Sequence, residues 1–167
     1  MALTTQALLA LFAVAQVMSN LNTGTGSRIF PTAILFEMPL FLGTIVAFLC
    51  WLRRCRLNAE TFAPNTHKYS VGGAVGVWLV PVLNCWAPRR VMLDLWRANG
   101  SAGATWVING WWVTWIAKMV GISAYVVAVP HGNLNNPVVV FINVAAAVLT
   151  IVMVEQVTAV QRAKIKE

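Results

Sequence analysis

The sequence predicts an all-α integral membrane fold: a four-helix transmembrane bundle with a cytoplasm-side re-entrant segment and an interfacial amphipathic helix. Three observations lead there. The 167-residue chain is 59% hydrophobic and 10% charged, with a mean hydropathy of +0.71, more apolar than a water-soluble core of this size requires. Four apolar runs place spans at about 4–22, 31–52, 104–129 and 137–157, where roughly 20 residues cross about 30 Å of hydrocarbon. The third observation is the distribution of the basic residues, which depends on how the segment at about 70–99 is threaded.

The first run, from Leu8 to Leu21 at its most apolar, has no Lys or Arg before it. It therefore lacks the charged start of a secretory signal, and it reads as a span. The second run, Pro31 to Leu52, ends at Arg53 and Arg54. The stretch from Val71 to Trp86 is apolar but glycine-rich; Pro81 interrupts it and Pro88 lies just past its end. If it crossed, Arg53, Arg54, Arg56 and Lys68 would face one side, and Arg28, Arg89, Arg90, Arg97, Arg162, Lys164 and Lys166 the other. If it enters and returns, all of these except Arg28 share one face, as the positive-inside rule demands. Both termini are then cytoplasmic. Gly72 and Gly76 form a small-xxx-small pair expected to admit a neighbouring helix. Pro88 suits a helix start, after which Arg90, Asp94 and Arg97 take one face and Met92, Leu95 and Trp96 the other. That pattern predicts a helix lying in the membrane interface. Internal repeats and a separate soluble domain are not visible, so the chain reads as one membrane domain, 1–167.

The stretches "FLCWLRRCRLNAETFAP", "WLVPVLNCWAPRRVMLDLWRAN" and "WWVTW" resemble the actinobacterial membrane family known as domain of unknown function 4328, over roughly Ile34 to Trp115. The resemblance rests on Trp51, Arg54, Asn58, Trp78, Pro81, Asn84, Pro88 and Trp96, with the tryptophans after them. It implies the membrane fold and a bacterial inner-membrane location, and it carries no reaction.

Few motifs bear on chemistry. Cys50, Cys55 and Cys85 have no metal-ligand spacing and read as reduced packing residues, while His67 and His131 fall on opposite sides of the membrane. Neither metal nor cofactor is expected. Nucleotide-binding glycine motifs, a nucleophile elbow and aspartate-rich metal-diphosphate motifs are missing. The net charge of +7 is explained by membrane topology, so nucleic acid is not an expected partner. Glu37 and Lys118 lie within spans at similar depth, which predicts a buried structural ion pair.

Polar and aromatic residues concentrate near the cytoplasmic level: Asn58, Glu60, Trp78, Asn84, Trp86, Asn109, Trp111, Trp112, Trp115 and Glu155. Trp86, Trp96 and Trp106 read as interfacial anchors, and Asp94 has arginines at helical spacing on both sides. Three tryptophans within five residues cover more than one helix face, so at least one must point inward. These residues predict a tryptophan-walled cavity with a carboxylic acid, ranked Glu60, Glu155, Asp94. The matching chemistry is metal-independent, acid-initiated carbocation cyclisation of an isoprenoid-type substrate, since a buried acid and aromatic faces suit that reaction. The alternative is a non-enzymatic membrane scaffold or assembly factor whose basic face meets anionic headgroups. Membrane lipid is a partner in both readings, and a hydrophobic small molecule in the first.

Overall fold

The computed structural model describes residues 2–22, 30–100, 105–128 and 137–166. Arg28, His131 and the expected limits of the third span, Ala104 and Val129, lie outside them. Every regular element described is helical: α1 (Ala2–Asn22), α2 (Phe30–Phe62), α3 (Val71–Gly76), α4 (Ala87–Ala98), α5 (Trp106–Ile116), α6 (Ile122–Ala128) and α7 (Pro137–Ile165). A 3-10 turn at Leu83–Cys85 precedes α4, and a π-helical turn at Ala117–Gly121 joins α5 to α6. Two helices are long and apolar enough to cross a membrane, Phe36–Phe62 and Val138–Ile165, and only 22% and 17% of their most apolar windows are buried inside the protein. A helix at the heart of a water-soluble domain would bury most of that surface. Ala2–Met18 is a shorter apolar helix.

Side-chain pairs fix the direction of each helix. Thr5 Oγ1 donates to Ala47 O, Thr44 Oγ1 donates to Leu8 O, and the Phe12 and Phe41 rings meet at 5.5 Å, so α1 and α2 are antiparallel. Trp51 Nε1 donates to Thr158 Oγ1 at 3.1 Å and Asn58 Nδ2 to Gln161 Oε1 at 3.2 Å, so α2 and α7 are parallel. Along α5 and the π turn, Trp111 lies level with Trp78 beside Phe48, and Lys118 level with Phe12 and Phe41. This run therefore opposes α2. The start of α1, the ends of α2 and α7, and the start of α5 share one end of the molecule.

The segment between α2 and α5 leaves that end and comes back to it. Its start is held where Arg56 Nη2 donates to Tyr69 O at 2.7 Å. Trp78 then packs on Phe48 with centroids 4.9 Å apart, and Asn84 Nδ2 lies 3.9 Å from Met119 Sδ. Met119 is ten positions beyond Asn109, about 15 Å along the helix. The chain returns as Arg89 reaches Asn109, and ends as Asn99 meets Gln161. α3 starts at Ser70, whose Oγ accepts from Gly73 N at 3.0 Å, a serine N-cap.

Several expectations are corrected. α2 and α7 run ten and eight residues past the spans assigned to them, because Arg53–Phe62 and Thr158–Ile165 continue as amphipathic helix beyond the apolar part. A Cβ at Gly72 or Gly76 would meet nothing within 4 Å, so no helix among the described residues packs closely on that pair. The expected division of α4 holds: Val91, Met92, Leu95 and Trp96 are buried, while Arg90 and Arg97 are exposed. Yet its apolar face is covered by α2 and α5 rather than left for acyl chains. Trp96, expected as an anchor, is therefore a core residue at 8% exposure, whereas Trp86 and Trp106 are exposed. Of the three cysteines, all free, only Cys55 is a packing residue; Cys50 and Cys85 are exposed.

Candidate functional site

Four of the expected site tryptophans, Trp78, Trp111, Trp112 and Trp115, come together. Trp111 is 1% exposed and stands 5.9 Å from Trp78, 5.9 Å from Trp112 and 6.4 Å from Trp115 between ring centroids. Trp78 meets Trp115 edge-on at 6.0 Å and Phe48 edge-on at 4.9 Å, and Phe48 in turn meets Trp51. Tilted and edge-to-face rings at these separations are the arrangements that ring quadrupoles favour. The buried Nε1 atoms of Trp78 and Trp115 have no hydrogen-bond acceptor, and neither has the buried Oδ1 of Asn84 a donor. Trp86 stands apart at the surface.

The three candidate acids are elsewhere. Glu60 accepts from Arg56 Nη1 at 2.8 Å through Oε2 and from the Asn65 backbone N–H at 3.1 Å through Oε1. It lies beyond Arg53 and Arg54, outside the apolar part of α2, and those bonds, the Asn65 amide first and Arg56 next, hold its carboxyl below the ordinary value of 4.5. Asn65, with φ of 59°, takes the left-handed turn conformation that presents this amide. Glu155 is exposed and accepts from Gln6 Nε2 at 2.7 Å. Asp94 lies 3.9 Å from Arg97. No hydrogen bond or ion pair found for these carboxylates leads to the tryptophans.

Because Glu60 titrates low, its contribution to stability is complete above pH 4.5 and is lost as the pH falls through its lower folded value. Glu60→Gln is therefore expected to flatten the loss of thermal stability on acidification from about pH 5 to about pH 3. Thermal unfolding across that range tests it. An acid limb as steep in the variant as in the parent would show that the Arg56 and Asn65 bonds add nothing.

The asparagines expected to line a cavity bond to protein instead. Asn109 Oδ1 accepts from Arg89 at 3.0 Å (Nε) and 2.8 Å (Nη2), and Asn58 donates to Gln161. Asn84 lies deeper, at the level of Met119 and not of Asn109. Sequence reasoning missed the residue on which this end is organised. Gln161, 4% exposed, accepts from Asn58 of α2 and donates through Nε2 to Cys55 O at 2.9 Å and to Asn99 Oδ1, at the end of α4, at 3.4 Å. One turn away, Lys164 Nζ donates to Ala98 O at 3.0 Å and lies 5.3 Å from the Phe62 ring centroid. A signal was present: Trp51, Cys55 and Asn58 repeat at helical spacing, as do Val154, Thr158 and Gln161, so the polar members end two facing apolar stripes.

The expected Glu37–Lys118 pair is not formed. Among the described residues the ion pairs are Arg56–Glu60 and Arg97–Asp94. Lys118, carried on the π turn, points its ammonium at Phe12, 6.0 Å from the ring centroid. The Phe12 ring itself packs on Phe41, one turn beyond Glu37.

Fold and site together define a helical protein with two helices fit to cross a membrane, a tryptophan core, and a polar lattice at the end where its basic residues gather. The chain belongs to the family described as domain of unknown function (DUF4328), whose model matches residues 18–159. Neither a curated protein nor a solved structure matches it.

Proposed function

We propose that the chain is a multi-pass protein of a bacterial inner membrane, and that it acts as a non-enzymatic scaffold whose cytoplasmic end rests on anionic headgroups. In this reading α1, α2, α5–α6 and α7 are the four spans, both termini are cytoplasmic, and the segment from Val71 to Trp86 is re-entrant. The observation that carries the scaffold is the bonding of the polar residues at the basic end. Asn58, Gln161, Asn99, Arg89 and Asn109 tie four helices to one another. Arg53, Arg54, Arg90, Arg97, Arg162 and Lys166 stand exposed around the same end. A rigid basic face of this kind suits an anionic surface, at about 1 kcal/mol per cation near it.

The cyclase reading requires a neutral acid directed at the aromatic rings. Glu60, Glu155 and Asp94 each bond elsewhere, and Glu60 is held ionised, which is unsuited to donating a proton. Two experiments separate the readings. Membranes carrying the protein are incubated with a farnesylated, epoxidised acceptor; the scaffold predicts no consumption. Turnover that disappears in Glu60→Gln, Glu155→Gln or Asp94→Asn would replace the scaffold by the cyclase. In the second, the protein is melted in phosphatidylglycerol and in phosphatidylcholine vesicles. Stabilisation specific to phosphatidylglycerol is expected, weakened by salt and by joint neutralisation of Arg53, Arg54, Arg90 and Arg162. Equal stability in the two lipids would remove the basic-face argument.

The topology has its own test. Cysteines placed at positions 90 and 164 should escape an impermeant thiol reagent applied from outside, and one at 133 should react. Labelling of position 90 would mean that the segment crosses the membrane.

A further inference from the structure

Among the described residues, Glu37 and Lys118 are the two charged side chains that the fold carries away from its basic end. Glu37 lies seven positions inside α2, about 10 Å from its start. Lys118 is on the π turn, level with Phe41 and so with the turn of α2 just past Glu37. Among the described residues, Glu37 is the one acidic side chain without a hydrogen-bond or ion-pair partner, since Glu60, Asp94 and Glu155 all have one. Lys118 has only the Phe12 ring. Opposite charges at similar depth, each without a counter-ion, are costly in hydrocarbon and are normally found paired.

We propose that Glu37 and Lys118 pair between two copies of the chain, joining them as a two-fold symmetric dimer in the membrane. The inference rests on the membrane placement of the four proposed spans. One acid and one base about one helical turn apart in depth make a self-complementary surface. A two-fold axis brings Glu37 of each copy to Lys118 of the other and satisfies all four charges at once. Within one copy the ammonium rests over Phe12 and forms no ion pair with Glu37. Glu37 and Lys118 are themselves half-buried, with exposed residues nearby. Phe36 and Met38 flank Glu37 at 79% and 58% exposure, Val120 near Lys118 is 56% exposed, and a Cβ at Gly121 would meet nothing within 4 Å. The described residues beside both charges therefore leave room for a second copy.

The test is complementation between copies. Two differently tagged copies are co-expressed, and one is retrieved from detergent through its tag. The wild-type pair should co-purify. Glu37→Lys with itself, and Lys118→Glu with itself, should lose at least about thirtyfold in retrieval. Glu37→Lys with Lys118→Glu should recover the wild-type yield, because two opposite-charge pairs again form across the axis, one reversed and one native. Recovery only when both reversals are on one chain would place the pair within a copy and overturn the dimer, as would a wild-type protein that does not co-purify. In case the reversals prevent folding, Glu37→Cys and Lys118→Cys are placed on separate copies from which Cys50, Cys55 and Cys85 have been removed. Mild oxidation should give a dimer-sized product, and absence of that product overturns the proposal. A mistaken membrane placement would appear separately, in the labelling of positions 90, 133 and 164.

Discussion

Trp111→Ala is expected to lower the unfolding free energy by about 3 to 5 kcal/mol, the range for removing a large aromatic side chain from a packed core. Trp111 is 1% exposed and its ring touches those of Trp78, Trp112 and Trp115. It thereby joins α5 to the segment that enters beside α2. Truncation leaves a void bounded by three indoles, which cannot collapse without moving the irregular backbone between Trp78 and Asn84. Trp111→Phe keeps an apolar ring and should cost markedly less. Unfolding in detergent, followed by tryptophan fluorescence, measures both. A loss below about 1 kcal/mol for the alanine variant would mean that the cluster is loosely packed, and the cavity expected from the sequence would regain its standing.

The second large effect is expected at Gln161. Gln161→Leu removes the acceptor of Asn58 and the donor to Cys55 O and Asn99 Oδ1, all at the junction of α2, α4 and α7. Leaving buried polar groups unmatched costs about 1 to 3 kcal/mol. Asn99, 5% exposed, already has an Nδ2 without an acceptor, so it has little means of compensating. Thermal unfolding is expected to show this loss. Limited proteolysis should also show earlier cleavage after α4, because Lys164 would then hold the end of that helix alone through Ala98 O. Full stability in the leucine variant would reduce the lattice to incidental contact.

Much of the architecture was legible in the sequence. The apolar runs predicted long helices, and two of those found, Phe36–Phe62 and Val138–Ile165, are long and apolar enough to cross a membrane. Arg53 and Arg54 marked the end of the apolar part of α2. The position of the other basic residues predicted a re-entrant segment, and the partners of Tyr69, Trp78, Asn84, Arg89 and Asn99 show which helices that segment packs on. The amphipathic division of α4 was readable for the same reason: a period of 3.6 residues is a local property.

The covering of an apolar face is not local, and there the sequence fell short. Periodicity gave α4 an apolar side but could not distinguish acyl chains from α2 and α5, so Trp96 was misread as an anchor while its neighbours bury it. The inward turn of Trp111 was implied by three tryptophans crowding one helix. Only the tertiary structure decided that the space it faces is filled by Trp78 and Trp115. Glu60, Glu155 and Asp94 were ranked as acids from their flanking residues, yet they are engaged by the Asn65 amide, Gln6 and Arg97. Gln6 is 149 positions from the glutamate it binds. Helices come from short-range spacing. Hydrogen-bond partners come from chain segments that only folding brings within about 3 Å, and on those partners the engagement of each carboxylate and the filling of the aromatic core depend.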